Sequence, residues 1–332
     1  MNFMLDVLGR EINYIRISVT DRCNLRCSYC MPAEGIQICA HDEILNYEEI
    51  VKLVRIFVTL DIHHIKLTGG EPFIRKDFLG LAQAIKEVPG VEKLTVTTNG
   101  TYLKGAVLEQ ALSCFDGINI SLDTLEQKTY QKITGIDALK EAYGGLQHLL
   151  LQNSKRENAV SVKLNCVLTE KNRMDIVRLT GLAKEQKLIV RFIELMPIGL
   201  GKGQVFVGEA EARKLIEKAY GPLIPDSQIE GNGPAVYYRI DGFSGKIGFI
   251  SALSHKFCST CNRVRLTADG YLKTCLQYAA GVDLKKLLRS GVSEEEMKKM
   301  IVQAIREKPA GHAFGEKQIQ LEENRCMSEI GG

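Results

Sequence analysis

No tryptophan occurs among the 332 residues, aromatic residues make up only 7%, and the formal net charge is +3. Proteins that grip single-stranded nucleic acid pair a basic face with stacking rings; this composition supplies neither. No apolar run approaches the ~20 residues that span a bilayer. The first ten residues lack the basic start and apolar stretch of a secretion signal. Nucleic acid and membrane are therefore not expected partners, and the cytoplasm is the expected compartment. A GxxxxGK[ST] phosphate loop is also missing: Gly201-Lys202-Gly203 is not followed by serine or threonine and reads as a plain loop. Low-complexity stretches and fixed-period repeats are absent as well.

Cysteine, by contrast, is plentiful, with ten residues. In a reducing compartment, metal binding or catalysis explains cysteines better than disulfides. Six of them fall into two tight groups. Cys39, Cys114, Cys166 and Cys326 are scattered, and Cys166 reads as a small core residue inside an apolar run.

From Tyr14 to about Pro197, short apolar runs alternate with helical stretches. Strands are expected at Tyr14–Val19, His64–Thr68, Lys93–Thr97, Gly117–Ser121, Ser161–Val167 and Ile189–Glu194. Helices are expected at Tyr47–Leu60, Phe78–Lys86, Val107–Ser113, Leu139–Gln152 and Met174–Gln186. Six β-then-α units predict an α/β fold, an incomplete (β/α)6 TIM-like barrel built on a parallel sheet. The rhythm breaks near Gly199. Beyond it come one helix (Glu209–Tyr220), short strands (Val236–Ile240, Lys246–Ile250), the second cysteine group and helices near Leu284–Leu288 and Glu294–Glu307. The expected division is a barrel domain over residues 1–200 and a smaller C-terminal α+β domain over 201–332.

The first cysteine group is Cys23-Asn-Leu-Arg-Cys27-Ser-Tyr-Cys30, three thiols in one loop. A structural zinc site or a closed cubane takes four protein ligands; three leave one iron of a cubane open. Zinc completed by a distant residue such as His41 is the other reading. The second group is Cys258-Ser-Thr-Cys261 and, thirteen residues on, Cys275. A hairpin between Arg263–Leu266 and Tyr271–Leu276, turning at Asp269-Gly270, would return Cys275 beside Cys261. Here too zinc is open as a reading, with His255 as fourth ligand.

The run Arg16-Ile-Ser-Val-Thr-Asp-Arg-Cys-Asn-Leu-Arg-Cys-Ser-Tyr-Cys-Met-Pro32 resembles the signature of radical S-adenosylmethionine enzymes. More narrowly, the chain resembles the GTP 3′,8-cyclase family of molybdenum cofactor biosynthesis. That likeness extends through Thr68-Gly-Gly-Glu-Pro72, Thr97-Thr-Asn-Gly100, Ile120-Ser-Leu-Asp123, Arg191-Phe-Ile-Glu-Leu-Met-Pro197, Cys258-Ser-Thr-Cys-Asn-Arg-Val-Arg265 and the terminal Gly331-Gly332. It implies a lyase carrying two 4Fe–4S clusters, the first held by Cys23, Cys27 and Cys30 and the second by Cys258, Cys261 and Cys275. It implies S-adenosylmethionine contacts at Tyr29, Gly70, Ser121 and Met196. GTP contacts are implied at Arg16, Lys66, Thr97, Lys163, Arg263 and Arg265, with Lys66 standing where the family more often has arginine. The product would be (8S)-3′,8-cyclo-7,8-dihydro-GTP, formed by hydrogen abstraction at ribose C3′ and attack on guanine C8. The Gly331-Gly332 tail would thread toward the active site. No side chain is assigned as general acid or base.

Position agrees with the resemblance. The cysteine loop follows the first expected strand and Gly-Gly the second. Thr97 and Ser121 end the third and fourth, and Met196 follows the sixth. Carboxyl ends of strands carry the active site in β/α barrels. Family likeness also implies a homodimer, an electron donor such as flavodoxin or ferredoxin, and a downstream cyclic pyranopterin monophosphate synthase. Two competing readings remain: another radical enzyme with an auxiliary cluster acting on a peptide or other small molecule, and a non-enzymatic iron–sulfur or zinc sensor of nucleic acid. The first does not account for the paired arginines after Cys261 or the glycine tail.

Overall fold

A computed structural model describes residues 4–37, 39–40, 42–228, 230–314 and 322–332; His41, the alternative zinc ligand, lies outside them. Up to the middle of the chain the elements are β1 (Tyr14–Ser18), α1 (Tyr47–Thr59), β2 (His64–Thr68), α2 (Phe78–Lys86), β3 (Lys93–Thr98), α3 (Gly105–Cys114), β4 (Gly117–Ser121), α4 (Gln127–Thr134), α5 (Leu139–Asn153), β5 (Ser161–Leu168), α6 (Ile176–Glu185) and β6 (Ile189–Glu194). There follow α7 (Glu209–Tyr220), β7 (Ile224–Asp226), β8 (Val236–Arg239), β9 (Lys246–Ile250), β10 (Arg263–Leu266), β11 (Tyr271–Lys273), β12 (Gly281–Asp283), α8 (Leu284–Arg289), α9 (Glu294–Arg306) and α10 (Met327–Ile330). Strands and helices alternate through β6 as the apolar periodicity predicts, giving an α/β protein with a mostly parallel sheet.

Contacts group the chain into two units. The first comprises Met1–Asn24, Glu34–Val96 and Cys258–Gly332; the second comprises Leu25–Ala33 and Thr97–Phe257.

In the first unit the strand order is β12-β11-β10-β1-β2-β3. The two faces differ in chemistry because side chains alternate along a strand. Ile15, Ile17, Ile65, Leu67, Leu94, Val96, Val264 and Leu266 are all at most 1% exposed and form the apolar face. The other face takes the polar residues between them. The sequence leads one to expect β10 and β11 as a hairpin of a separate C-terminal domain. They do form that hairpin, but β10 also pairs in parallel with β1, Tyr14 opposite Arg263 and Arg16 opposite Arg265. Val264 and Leu266 thereby extend the apolar face laid down by Ile15 and Ile17. This leaves no edge at β1 for another chain to join.

The second unit has the order β4-β5-β6-β9-β8-β7. Again a late strand joins an early one: β9 pairs in parallel with β6, Phe192 opposite Phe249. Helix α4 was not expected, because its sequence, QKTYQKIT, is short, polar and rich in threonine. Tertiary anchors hold it instead. The Glu126 carboxylate caps the Lys128 and Thr129 amides, Gly135 ends the helix at φ +71°, and Tyr130 and Ile133 are buried. The helix expected from Met174 begins at Ile176, after a 3-10 turn over Glu170–Asp175.

Candidate functional site

On the polar face of the first unit the strand register lines up cations. Lys66 of β2 sits opposite Arg16 of β1, Arg16 opposite Arg265 of β10, and Arg265 opposite Lys273 of β11. Neighbouring strands lie ~4.8 Å apart, so four positive side chains share one row. Arg263 sits one row back, beside Tyr14. Burial, then repulsion from Arg16 and Arg263, holds the Arg265 pKa well below its ordinary value. Such a row is costly without an anion and suits a polyphosphate. Three of the expected GTP contacts, Arg16, Lys66 and Arg265, are thus brought into one line, with Arg263 adjoining.

The next row forward is Ser18 opposite Thr68. The chain terminus lies on it. The Thr68 hydroxyl donates to the Gly332 carbonyl at 2.6 Å, and Arg265 Nη1 donates to the Gly331 carbonyl at 2.6 Å. Gly331 has φ +92°, and a Cβ there would stand 2.8 Å from Ser18 Cβ. Both the backbone angle and the close approach demand glycine.

Around the second cysteine triplet, Cys261 N donates to Cys258 O at 3.2 Å, closing a tight turn. The hairpin pairs Arg265 with Lys273, and Cys275 follows two residues after that strand ends. Burial alone would raise the Cys261 thiol pKa, but the charges of Arg263 and Lys308, with hydrogen bonds from Arg263, bring it down to about 7. This is thiolate chemistry ready for a metal. Two buried cations brace the triplet that sequence reasoning did not single out. Lys308 donates to the carbonyls of Arg263 and Thr274. Arg10, tied to buried Asp6, donates to the carbonyls of Cys258, Lys308, Pro309 and Ala310. Nothing in a lone Arg10 or Lys308 marks it in sequence; only the fold brings the two ends of the chain to this loop.

Cys23 closes the same unit's first segment, just after β1. Close by, Gly70 N donates to Thr20 O and Glu71 N to Arg22 O. A Cβ on Gly70 would lie 2.2 Å from the Arg22 carbonyl, so the loop admits no side chain there.

In the second unit, Cys27 O accepts from Cys30 N at 2.8 Å and from Met31 N at 3.0 Å. Between the two thiols, Tyr29 donates its hydroxyl to Asp123 Oδ2 at 2.6 Å. Asp123 lies two residues past Ser121, the last residue of β4, so the bond ties Tyr29 to the segment that follows that strand. Burial raises the Asp123 pKa to about 6, despite its bonds from Tyr29 and the Val167 amide. Met196 lies two residues beyond β6. Thr97 Oγ1 is buried and lacks a hydrogen-bond partner among the described residues, an orphaned hydroxyl of the kind a ligand satisfies. Lys163 is buried and donates to the Glu230 carbonyl, its ammonium 5.9 Å from the Tyr237 ring. Arg191 was not singled out; it braces Asn165 and Asn119 on the same face. His255, the alternative zinc ligand, is engaged by Glu209 at 3.0 Å.

Among the described residues, no three Cys, His, Asp or Glu side chains converge closely enough to hold a single metal ion. All ten cysteines are free thiols, and both triplets are partly exposed. The donor sets, three soft thiolates each, fit iron–sulfur clusters with one open position.

The chain matches two families, the Radical SAM superfamily over residues 17–179 and Molybdenum Cofactor Synthesis C over residues 188–314. It is 41% identical to the GTP 3′,8-cyclase of Clostridium perfringens strain 13, across 99% of this chain and all of that one. Against the GTP 3′,8-cyclase of Moorella thermoacetica it is 40% identical, with the same coverage. The molybdenum cofactor biosynthesis protein moc-5 of Caenorhabditis elegans is 38% identical over 93% of this chain and 51% of its own length. Among solved structures, Streptococcus suis SuiB bound to S-adenosylmethionine superposes with a TM-score of 0.61 at 15% identity, covering 89% of this chain and 68% of SuiB. That likeness is one of fold.

Proposed function

The chain belongs to the GTP 3′,8-cyclase family of radical S-adenosylmethionine enzymes, which serve molybdenum cofactor biosynthesis, and from that membership we propose how its own residues divide the work. Cys23, Cys27 and Cys30 would hold a 4Fe–4S cluster that works with S-adenosylmethionine, and Cys258, Cys261 and Cys275 would hold a second. When bound, these groups supply one-electron cleavage of the sulfonium and the hydrogen abstraction at ribose C3′ that precedes closure on guanine C8. Gly70 leaves room for the methionine end of the cofactor; Tyr29, Ser121 and Met196 flank it. Tyr29 is held in place by Asp123.

GTP is recognised by charge. The row of Lys66, Arg16 and Arg265, the strongest single support for this reading, receives the triphosphate. Arg263 and Lys163 add cations, and Thr97 offers its buried hydroxyl. Lysine at 66 keeps the charge that an arginine would bring but not the bidentate fork. Fixing both ends of the substrate matters because the ring closes within one molecule. Residues 1–200 carry the radical machinery in this scheme. Residues 201–332 carry the second cluster, part of the nucleotide site and the glycine tail. The protein works as a cytoplasmic homodimer, takes electrons from a flavodoxin or ferredoxin, and passes (8S)-3′,8-cyclo-7,8-dihydro-GTP to cyclic pyranopterin monophosphate synthase. Among the described residues no helix is long and apolar enough to cross a membrane.

The decisive experiment is anaerobic reconstitution with iron and sulfide, then incubation with reductant, S-adenosylmethionine and GTP. Mass spectrometry is expected to find 5′-deoxyadenosine together with an isomer of GTP. Deoxyadenosine that does not rise with added GTP would sink the assignment of substrate. A second expected result concerns the tail. Deleting Gly331 and Gly332 abolishes cyclisation while iron content stays at the wild-type level; undiminished turnover would remove the tail from the mechanism.

A further inference from the structure

The glycine tail is the end of a longer anchored segment. Glu323 enters it with its carboxylate buried against the ammonium of Lys273, whose side chain is 0% exposed. Lys273 donates in addition to the Tyr278 carbonyl at 2.5 Å. The Glu323 amide donates to Gln277 O at 2.7 Å. On its other side the Glu323 carboxylate receives Arg325, through Nη2 at 3.1 Å and the Arg325 amide at 2.9 Å. Arg325 in turn lies over the Tyr271 ring, 5.4 Å from its centroid. Burial would raise the Glu323 pKa, but the hydrogen bonds from Arg325 and Lys273 carry it down to about 2. From this point the chain turns once through α10 and delivers Gly331 to Arg265 and Gly332 to Thr68.

Two features set this ion pair apart from an ordinary structural one. A buried pair adds little net stability compared with apolar side chains of the same volume, and its best attested use is to fix one arrangement among several. Its position is also specific. Lys273 is the outermost member of the cation row, opposite Arg265 and two residues before Cys275. Glu323 thus neutralises the end of the row at Lys273 with a full negative charge, whereas Gly331 takes only a carbonyl hydrogen bond from Arg265. Without that tether, the segment keeps its backbone bond at Gln277, the buried Ser328 and Ile330 and the two terminal hydrogen bonds, but loses its side-chain anchor to the sheet, and the local concentration of glycine at the site would fall.

We propose that the Lys273–Glu323 pair is a latch that sets the reach of the Gly331-Gly332 tail, making Glu323 a positioning residue for cyclisation. This rests on the tail acting in turnover. The test uses full-length reconstituted protein in four forms: wild type, Glu323→Ala, the K273M/E323L double variant, and the Gly331-Gly332 deletion. Hydrogen exchange of residues 322–332 reads the tail directly, beside iron content, melting temperature, and kcat and KM with GTP. Glu323→Ala and the double variant are expected to exchange the tail amides at least tenfold faster. Their kcat falls at least tenfold, with iron content and the KM for S-adenosylmethionine unchanged. The double variant, its cavity filled by apolar atoms, melts close to wild type, which separates positioning from stability. Should it fail to fold, Glu323→Gln keeps the shape without the charge and is read in the same way. A folded variant lacking the pair with wild-type tail protection, or a loosened tail with wild-type kcat, overturns the latch. Full turnover by the deletion variant overturns the premise instead, a result distinguishable because the latch residues are intact in it.

Discussion

Replacing Cys275 with alanine is expected to cut iron from about eight atoms per chain to about four, two cubanes to one, and to abolish the cyclised product. Reductive cleavage of S-adenosylmethionine persists at a reduced, uncoupled rate, because Cys23, Cys27 and Cys30 are untouched. The expectation follows from how the second triplet is assembled. Cys258 and Cys261 share one tight turn, but Cys275 arrives two residues past the returning strand of a hairpin. Two thiolates on one turn hold a cluster from one segment only, whereas three hold it from two. The surrounding cations, Arg263 and Lys308, favour thiolate over thiol at Cys261 and would remain, so the loss isolates the ligand. Iron and sulfide analysis with electron paramagnetic resonance checks it. Wild-type protein that already holds only four irons would show that the second triplet carries no cluster.

Replacing Arg265 with methionine is expected to weaken GTP binding by about ten- to a hundredfold, taking ~1.5–3 kcal/mol for a charged hydrogen bond and ~1.4 kcal/mol per tenfold. The same change lowers kcat, since Arg265 also holds the Gly331 carbonyl. Stability moves the other way. Arg265 is disfavoured as a cation by burial first and then by Arg16 and Arg263. Removing that charge relieves the repulsion when no anion is present, so the variant melts no lower than wild type without GTP. Added GTP then raises its melting temperature less than it raises that of wild type. Calorimetry of binding, with thermal melts at both conditions, reads all three quantities. A variant that melts much lower and binds GTP normally would make Arg265 a structural residue.

Much of this was legible along the chain. Ile15, Ile17, Ile65 and Leu67 alternate with Arg16, Ser18, Lys66 and Thr68, and alternation at period two is enough to place an apolar and a polar face on each strand. The β/α succession therefore followed from local pattern, as did the ends of β2, β4, β6, β9 and β10. Local pattern failed where the stabilising partner is remote. Helix α4 has poor intrinsic propensity and is held by the Glu126 cap and by burial of Tyr130 and Ile133. The short strands β7 and β12 exist only because β8 and β11 pair with them.

The candidate site divides the same way. Spacing alone could gather Cys23 with Cys27 and Cys30, and Cys258 with Cys261, because each set sits within one loop. Gly331-Gly332 and Gly70 were visible as motif glycines, but the Arg22 carbonyl that excludes a side chain at Gly70 was not. What the sequence by itself determined is therefore the set of candidates: two cysteine triplets, the cations spaced along the strands and the motif glycines. What only the tertiary structure decided is their company. The parallel pairing of β10 with β1 puts Arg265 beside Arg16, although 249 positions separate them in the chain. It also lets Arg10 and Lys308 close on the second cysteine loop, and Glu323 find Lys273. Register is a cooperative property of two strands that bury a shared apolar face, and no local window contains both.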